Sequence, residues 1–124
     1  MRVLLLLGSL SGFLSVALGA FAAHGLKPRL SEYQLSIFQT GVHYQAIHAI
    51  ALILAAILLK VTPAGSALHW AGWCFFAGIL FFSGSLYALA LTGIKVLGAI
   101  TPIGGVLFLA GWLLLAYHAW TQVS

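Results

Sequence analysis

Long apolar runs, broken by short polar or Pro/Gly-containing segments, set the hydropathy pattern of the chain. The runs predict four helices, at about residues 3–23, 32–60, 67–91 and 102–121. Each is near or above the roughly 20 residues needed to cross a hydrocarbon core. The breaks carry helix-boundary chemistry. In HGLKPRLSE, Gly25 suits the position just past a helix end, and Pro28 blocks continuation. Ser31 and Gln34 form an S-x-x-Q capping box that starts the second helix near Glu32. VTPAGS ends that helix after Lys60, and Ser66 is the expected N-cap of the third. The third helix ends before Thr92-Gly93. IKVLGAI then makes a short apolar connection, and Thr101-Pro102 reads as N-cap and first-turn proline of the fourth helix. The expected fold is therefore all-α, a polytopic membrane protein with four transmembrane helices in an antiparallel bundle, forming one domain over residues 1–124.

The second run departs from the pattern. Its predicted length of about 28 residues corresponds to about 42 Å, longer than the core it crosses. Only Ala46 to Leu59 is close to purely apolar, with His48 as the exception. Tyr44, Gln45 and His48 must then lie within the membrane. At 100° per residue, Gln34, Gly41, Tyr44, Gln45 and His48 share one stripe of the helix, and Ser36, Gln39 and His43 lie on the other side. The stripe is expected to face the bundle interior, because an unpaired polar group in hydrocarbon costs several kcal/mol. Counting depth from the VTPAGS break puts His48 about 18 Å into the membrane, level with Ser15 and with Ser83-Gly84-Ser85. Gly19, Tyr87 and the Thr101–Gly105 turn come one layer further out. The prediction is a polar layer in which His48 bonds a serine or a backbone carbonyl exposed by nearby glycines. Small residues accompany it. Gly8 and Gly12 form G-x-x-x-G, Ser11, Ser15, Gly19 and Ala23 repeat at four, and Gly104 and Gly111 repeat at seven. Such faces let helix backbones approach closely and offer a route to self-association.

Composition fixes the class. The 124 residues are 63% hydrophobic and 5% charged, against about 25% charged in soluble domains. The net charge of +4 does not point to nucleic acid: Arg2, Lys27, Arg29, Lys60 and Lys95 are scattered at the ends of apolar runs, as interfacial anchors are. The lipid bilayer is the expected surrounding, and the cell membrane the expected location. Cys74 stands alone and can make no internal disulfide. Arg2 followed by a leucine-rich run and Ala20-Phe21-Ala22 mimics a cleavable leader, but the run is a full span and is read as a retained helix. Four spans put both termini and VTPAGS on one side of the membrane. Trp70, Trp73, Tyr117 and Trp120 all fall at that interface, as an aromatic belt does. Two basic residues on that side against three on the other do not decide orientation.

SVALGAFAAHGL, QTGVHYQAIHAIAL, FSGSLYALAL and TPIGGVLFLAGW, in that order, resemble a family of small bacterial inner-membrane proteins of unknown function, the YgdD- and YwdK-like group. The resemblance covers nearly the whole chain, although Ala22 stands where the family often has Gly. It implies a four-helix, multi-pass membrane protein and no particular activity. The motif residues it matches are His24, Gln39, Tyr44, Gln45, His48, Ser83, Ser85, Tyr87, Thr101 and Pro102, so it adds His24 and Gln39 to the candidate layer.

These features favour a structural or assembly bundle, one that binds partners or copies of itself through its small-residue faces. The alternative is a transporter or channel for a small polar molecule or ion using Tyr44, Gln45, His48, Ser83 and Ser85, since intramembrane ionisable groups are functional candidates. The single acid, Glu32, sits at a helix start, so carboxylate-coupled export is disfavoured. Five histidines invite a metal or haem, but His43 and His48 diverge by about 140° on a helix and do not chelate as an i, i+4 pair does. No cofactor is expected. No catalysis is expected either, because Ser83 and Ser85 lack an evident base and orienting acid.

Overall fold

The computed structural model describes residues 1–63 and 65–124; Ala64, within the VTPAGS break, lies outside them. Four helices result: α1 (Arg2–Leu26), α2 (Glu32–Val61), α3 (Ser66–Thr92) and α4 (Thr101–Gln122), the last preceded by a 3-10 turn over Lys95–Ala99. All four are long and apolar enough to cross a membrane. Among the described residues there is no strand. Short connections make neighbours antiparallel. α2 and α3 form the centre; α1 lies on α2, and α4 lies on α3.

Glycine decides how close these pairs come. A Cβ at Gly8 would meet Ile53 at 2.9 Å, Leu52 at 3.0 Å and the Ala49 carbonyl at 3.1 Å, so α1 and α2 touch there nearly backbone to backbone. Gly104 does the same for α4, whose Cβ would strike the Phe82 backbone of α3. Gly111 faces the Phe75 ring and the Ala71 carbonyl. The small-residue faces predicted to invite self-association are thus largely taken up inside the molecule. Gly12, with its nearest neighbour 3.9 Å from a would-be Cβ, contributes only ordinary contact.

Two apolar clusters form the core. One joins Leu4, Leu52, Ala56, Phe75, Ile79 and Phe108 toward the side of the termini; the other joins Ala22, Leu26, Phe38 and Ala90 toward the opposite side. The buried polar residues of α2 fall between them. Trp70, Tyr117 and Trp120 are exposed, and Trp73 donates to His69 Nε2 at 3.1 Å, as expected of an interfacial belt.

The boundaries differ from expectation at four points. α1 does not end at Gly25. It continues through a widened i→i+5 turn over Ala22–Leu26, and the freed Leu26 carbonyl accepts from Arg29 and Leu30 N–H, both at 2.9 Å. Gly25 serves packing instead, since a Cβ there would sit 2.6 Å from the Phe21 ring. The capping box holds, with Gln34 N–H donating to Ser31 Oγ and Ser31 N–H to Gln34 Oε1, each 3.1 Å. Ser66, however, is the first helical residue and makes no cap bond; Gly65 occupies the cap. Thr101 likewise starts α4 without capping it, because its hydroxyl bonds Ser85. A second widened turn, Ile79–Ser83, interrupts α3, and nothing in the residue pattern announces it. α3 ends as predicted: Gly93, at φ 72°, is the only described residue with positive φ, and its N–H bonds the Leu89 carbonyl at 2.8 Å.

Candidate functional site

Gln45 begins the buried polar seam. It stands on the inner face of α2 and is 4% exposed. Its Nε2 donates to the Ser11 carbonyl of α1 at 2.9 Å, and its Oε1 accepts the Tyr87 hydroxyl of α3 at 2.6 Å. One amide therefore ties three helices. Tyr87 reaches it because Gly41 leaves room: a Cβ at 41 would lie 2.7 Å from the Tyr87 ring. The same bare backbone presents the Gly41 carbonyl to Ser83, whose hydroxyl donates to it at 2.6 Å. On the other side the Tyr87 ring packs on Phe38, 4.8 Å between centroids.

His48 lies one turn further toward the termini, 3% exposed. The Trp112 indole N–H of α4 points at its Nε2, 3.0 Å away. An indole nitrogen only donates, so Nε2 is the acceptor and the proton belongs on Nδ1. Nδ1 lies 2.7 Å from the Tyr44 carbonyl, one turn back on α2, and donates to it. Both ring nitrogens are satisfied in this one tautomer. The ring itself stacks on Phe108 with centroids 3.6 Å apart and planes within 8°. Ser85 and Thr101 join α3 to α4, 2.6 Å between oxygens. Ser85 spends its proton on the Phe82 carbonyl at 2.9 Å, so Thr101 donates to Ser85.

Six of the nine predicted site residues, Gln45, His48, Ser83, Ser85, Tyr87 and Thr101, thus enter bonds that hold the seam together. Three differ. Tyr44 contributes its carbonyl, but its side chain is 41% exposed, its ring lying against Phe82 and Phe108. Gln39 is exposed on the far side of α2, beside Ser36, Thr40 and His43. His24 is exposed in the last turn of α1. Helical angle had already separated Gln39 from the inner stripe, and that geometry prevails over the motif.

The predicted depths were off by more than a turn. Ser83 sits opposite Gly41, and His48 sits opposite Phe75, 5.7 Å between ring centroids. Only four residues separate Val61 from Ser66, which sets the end of α2 against the start of α3 and with it this register. His48 bonds a carbonyl as predicted, but of its own helix and not one bared by a glycine. It bonds no serine.

Two contributors escaped the sequence reading. Trp112 is the first, and its position supplied a signal: it falls well inside the fourth run, away from the aromatic belt, where an indole N–H needs a partner. The second is a link near the terminal side. The Thr62 hydroxyl donates to the Leu58 carbonyl at 2.6 Å and accepts from His118 Nε2 at 2.9 Å. His118 is almost wholly buried. Among the described residues its Nδ1 has no partner, and no three of His, Cys, Asp and Glu converge as a metal site requires.

Four antiparallel membrane-crossing helices, cross-linked in their interior by hydrogen bonds between uncharged polar groups, define a polytopic helical membrane protein. Within that class the chain belongs to the family described as "Protein of unknown function (DUF423)", whose profile matches residues 18–105. A UPF0382 membrane protein of Staphylococcus haemolyticus is 50% identical over 92 residues, covering 74% of each chain. One from Staphylococcus epidermidis is 49% identical over the same length and coverage. The UPF0382 membrane protein YwdK of Bacillus subtilis is 44% identical over 92 residues, 74% of this chain and 75% of its own, in keeping with the YwdK-like resemblance. No solved structure matches the chain.

Proposed function

We propose that the protein is a non-catalytic membrane scaffold, whose polar seam fixes the register of four helices and whose lipid-facing sides do the docking. The observation that carries this reading is the saturation of His48: Trp112 and the Tyr44 carbonyl occupy both ring nitrogens. A proton carrier or general base needs a nitrogen that a substrate or water reaches. The Ser83 and Ser85 hydroxyls are likewise spent on the Gly41 and Phe82 carbonyls. Assembly with copies or partners then runs through exposed apolar positions such as Phe13 and Val16 of α1 and Leu109 and Leu113 of α4, since Gly8, Gly104 and Gly111 are occupied within the molecule.

Reconstitution tests the reading. The wild type and His48→Ala are placed in liposomes loaded with a pH-sensitive dye and in liposomes loaded with small polar solutes. The scaffold reading expects both proteins to leak no faster than protein-free vesicles, and His48→Ala to unfold at lower temperature. A wild-type flux that His48→Ala abolishes refutes it.

A further inference from the structure

α1 packs on α2 and barely meets α3, which leaves a groove of about 430 Å³ between α1 and α3. Its walls are apolar, with Leu10 and Leu14 on one side and Phe76 and Leu80 on the other; its floor carries Ser11, Gln45 and Tyr87. No charged side chain lines it. The volume falls within the range of about 300–1,000 Å³ typical of small-molecule sites.

The floor has donors to spare. Ser11 is 6% exposed, and its hydroxyl has no partner among the hydrogen bonds of the described residues. Most other helical hydroxyls bond back to a carbonyl three or four residues earlier, as Ser9 and Ser15 do on the same helix. The Gln45 amide uses one N–H on the Ser11 carbonyl and retains a second. The Tyr87 proton is committed to Gln45. The groove therefore offers two N–H or O–H donors and asks for an acceptor.

Depth narrows the acceptor. Ser11 lies about 14 Å from the start of α1 and about 22 Å from its end, near the middle of a core about 30 Å thick. Phospholipid ester carbonyls and headgroups lie at the edges of that core, and a charged group is costly at its centre. A molecule that brings a hydrogen-bond acceptor to this depth is neutral and dissolved in the lipid. The Tyr87 ring, which lines the groove beside Gln45, favours a flat, conjugated one. We propose that the α1–α3 groove binds a neutral, membrane-dissolved carbonyl compound of the quinone type, its ring between Leu80 and Tyr87 and one carbonyl accepting from Ser11 Oγ and Gln45 Nε2.

Gly84 provides the control. It lines the groove, and a Cβ there meets nothing within 4 Å, so a larger side chain fills the groove without disturbing the helices. The protein is reconstituted in phosphatidylcholine nanodiscs and titrated with a decyl-substituted benzoquinone carrying isotope-labelled carbonyls. Saturable binding is expected, seen as a rise in the thermal midpoint together with a carbonyl stretch shifted down by hydrogen bonding. Ser11→Ala weakens binding roughly five-fold, the loss of one hydrogen bond. Gly84→Leu abolishes binding while its midpoint without quinone is no lower than that of the wild type. The proposal is overturned if binding does not saturate, if Ser11→Ala or Gly84→Leu binds as the wild type does, or if decylbenzene, which has no carbonyl, binds as tightly as the quinone.

Discussion

At the scale of single residues, burial in a membrane turns each polar atom into a demand for a partner. Trp112 and His48 answer one another across the space between α2 and α4. Interhelical hydrogen bonds of this kind contribute about 0.6 kcal/mol on average, up to about 1.7. Trp112→Phe is expected to lower stability by about 1 kcal/mol. In a double-mutant cycle with His48→Ala, the two losses are expected to be less than additive by about the same amount. Additive losses measured by reversible unfolding in detergent contradict the bond. Sequence made half of this pair legible: His48 had to lie inside because its neighbours along the chain are apolar, and the 100° rotation put Gln45 and Gly41 on its face. The identity of its partner depends on how α4 is set against α2, a tertiary fact that no local pattern encodes.

At the scale of elements, the glycines sort into those that permit contact and those that do not. A side chain at Gly104 collides with the Phe82 backbone, and backbone cannot swing aside. Gly104→Ala is therefore expected to force α3 and α4 apart and cost about 2 kcal/mol or more, as overpacking does. Gly84→Ala, with open space before it, is expected to be neutral or to stabilise by up to about 1 kcal/mol through helix propensity. Equal effects of the two substitutions on the thermal midpoint rule out the packing described here. Helix limits were readable where chemistry is local, as in the Ser31/Gln34 capping box and the left-handed Gly93. They were misread at Gly25, Ser66 and Thr101, where a residue suited to capping is used instead for packing, for the first helical turn, or for a bond to Ser85. Residue type does not reveal the two widened turns, Ala22–Leu26 and Ile79–Ser83.

For the whole molecule, four spans place Met1, the α2–α3 connection and Ser124 on one side and Lys27 and Lys95 on the other. With Cys74 replaced by Ala, single cysteines at Arg2 and Ser124 are expected to react with a membrane-impermeant maleimide from the same side of sealed vesicles. Cysteines at Lys27 and Lys95 are expected to react from the opposite side. Split labelling of the two termini contradicts the topology.

His48 is held in one tautomer between α2 and α4, with both of its ring nitrogens occupied inside the molecule. Solid-state nuclear magnetic resonance of imidazole-labelled protein in bilayers reads this directly. The expected spectrum shows a protonated Nδ1, a bare Nε2 correlated with the Trp112 indole proton, and no exchange of the ring proton with water. A protonated Nε2, or a ring proton that exchanges freely, contradicts the account.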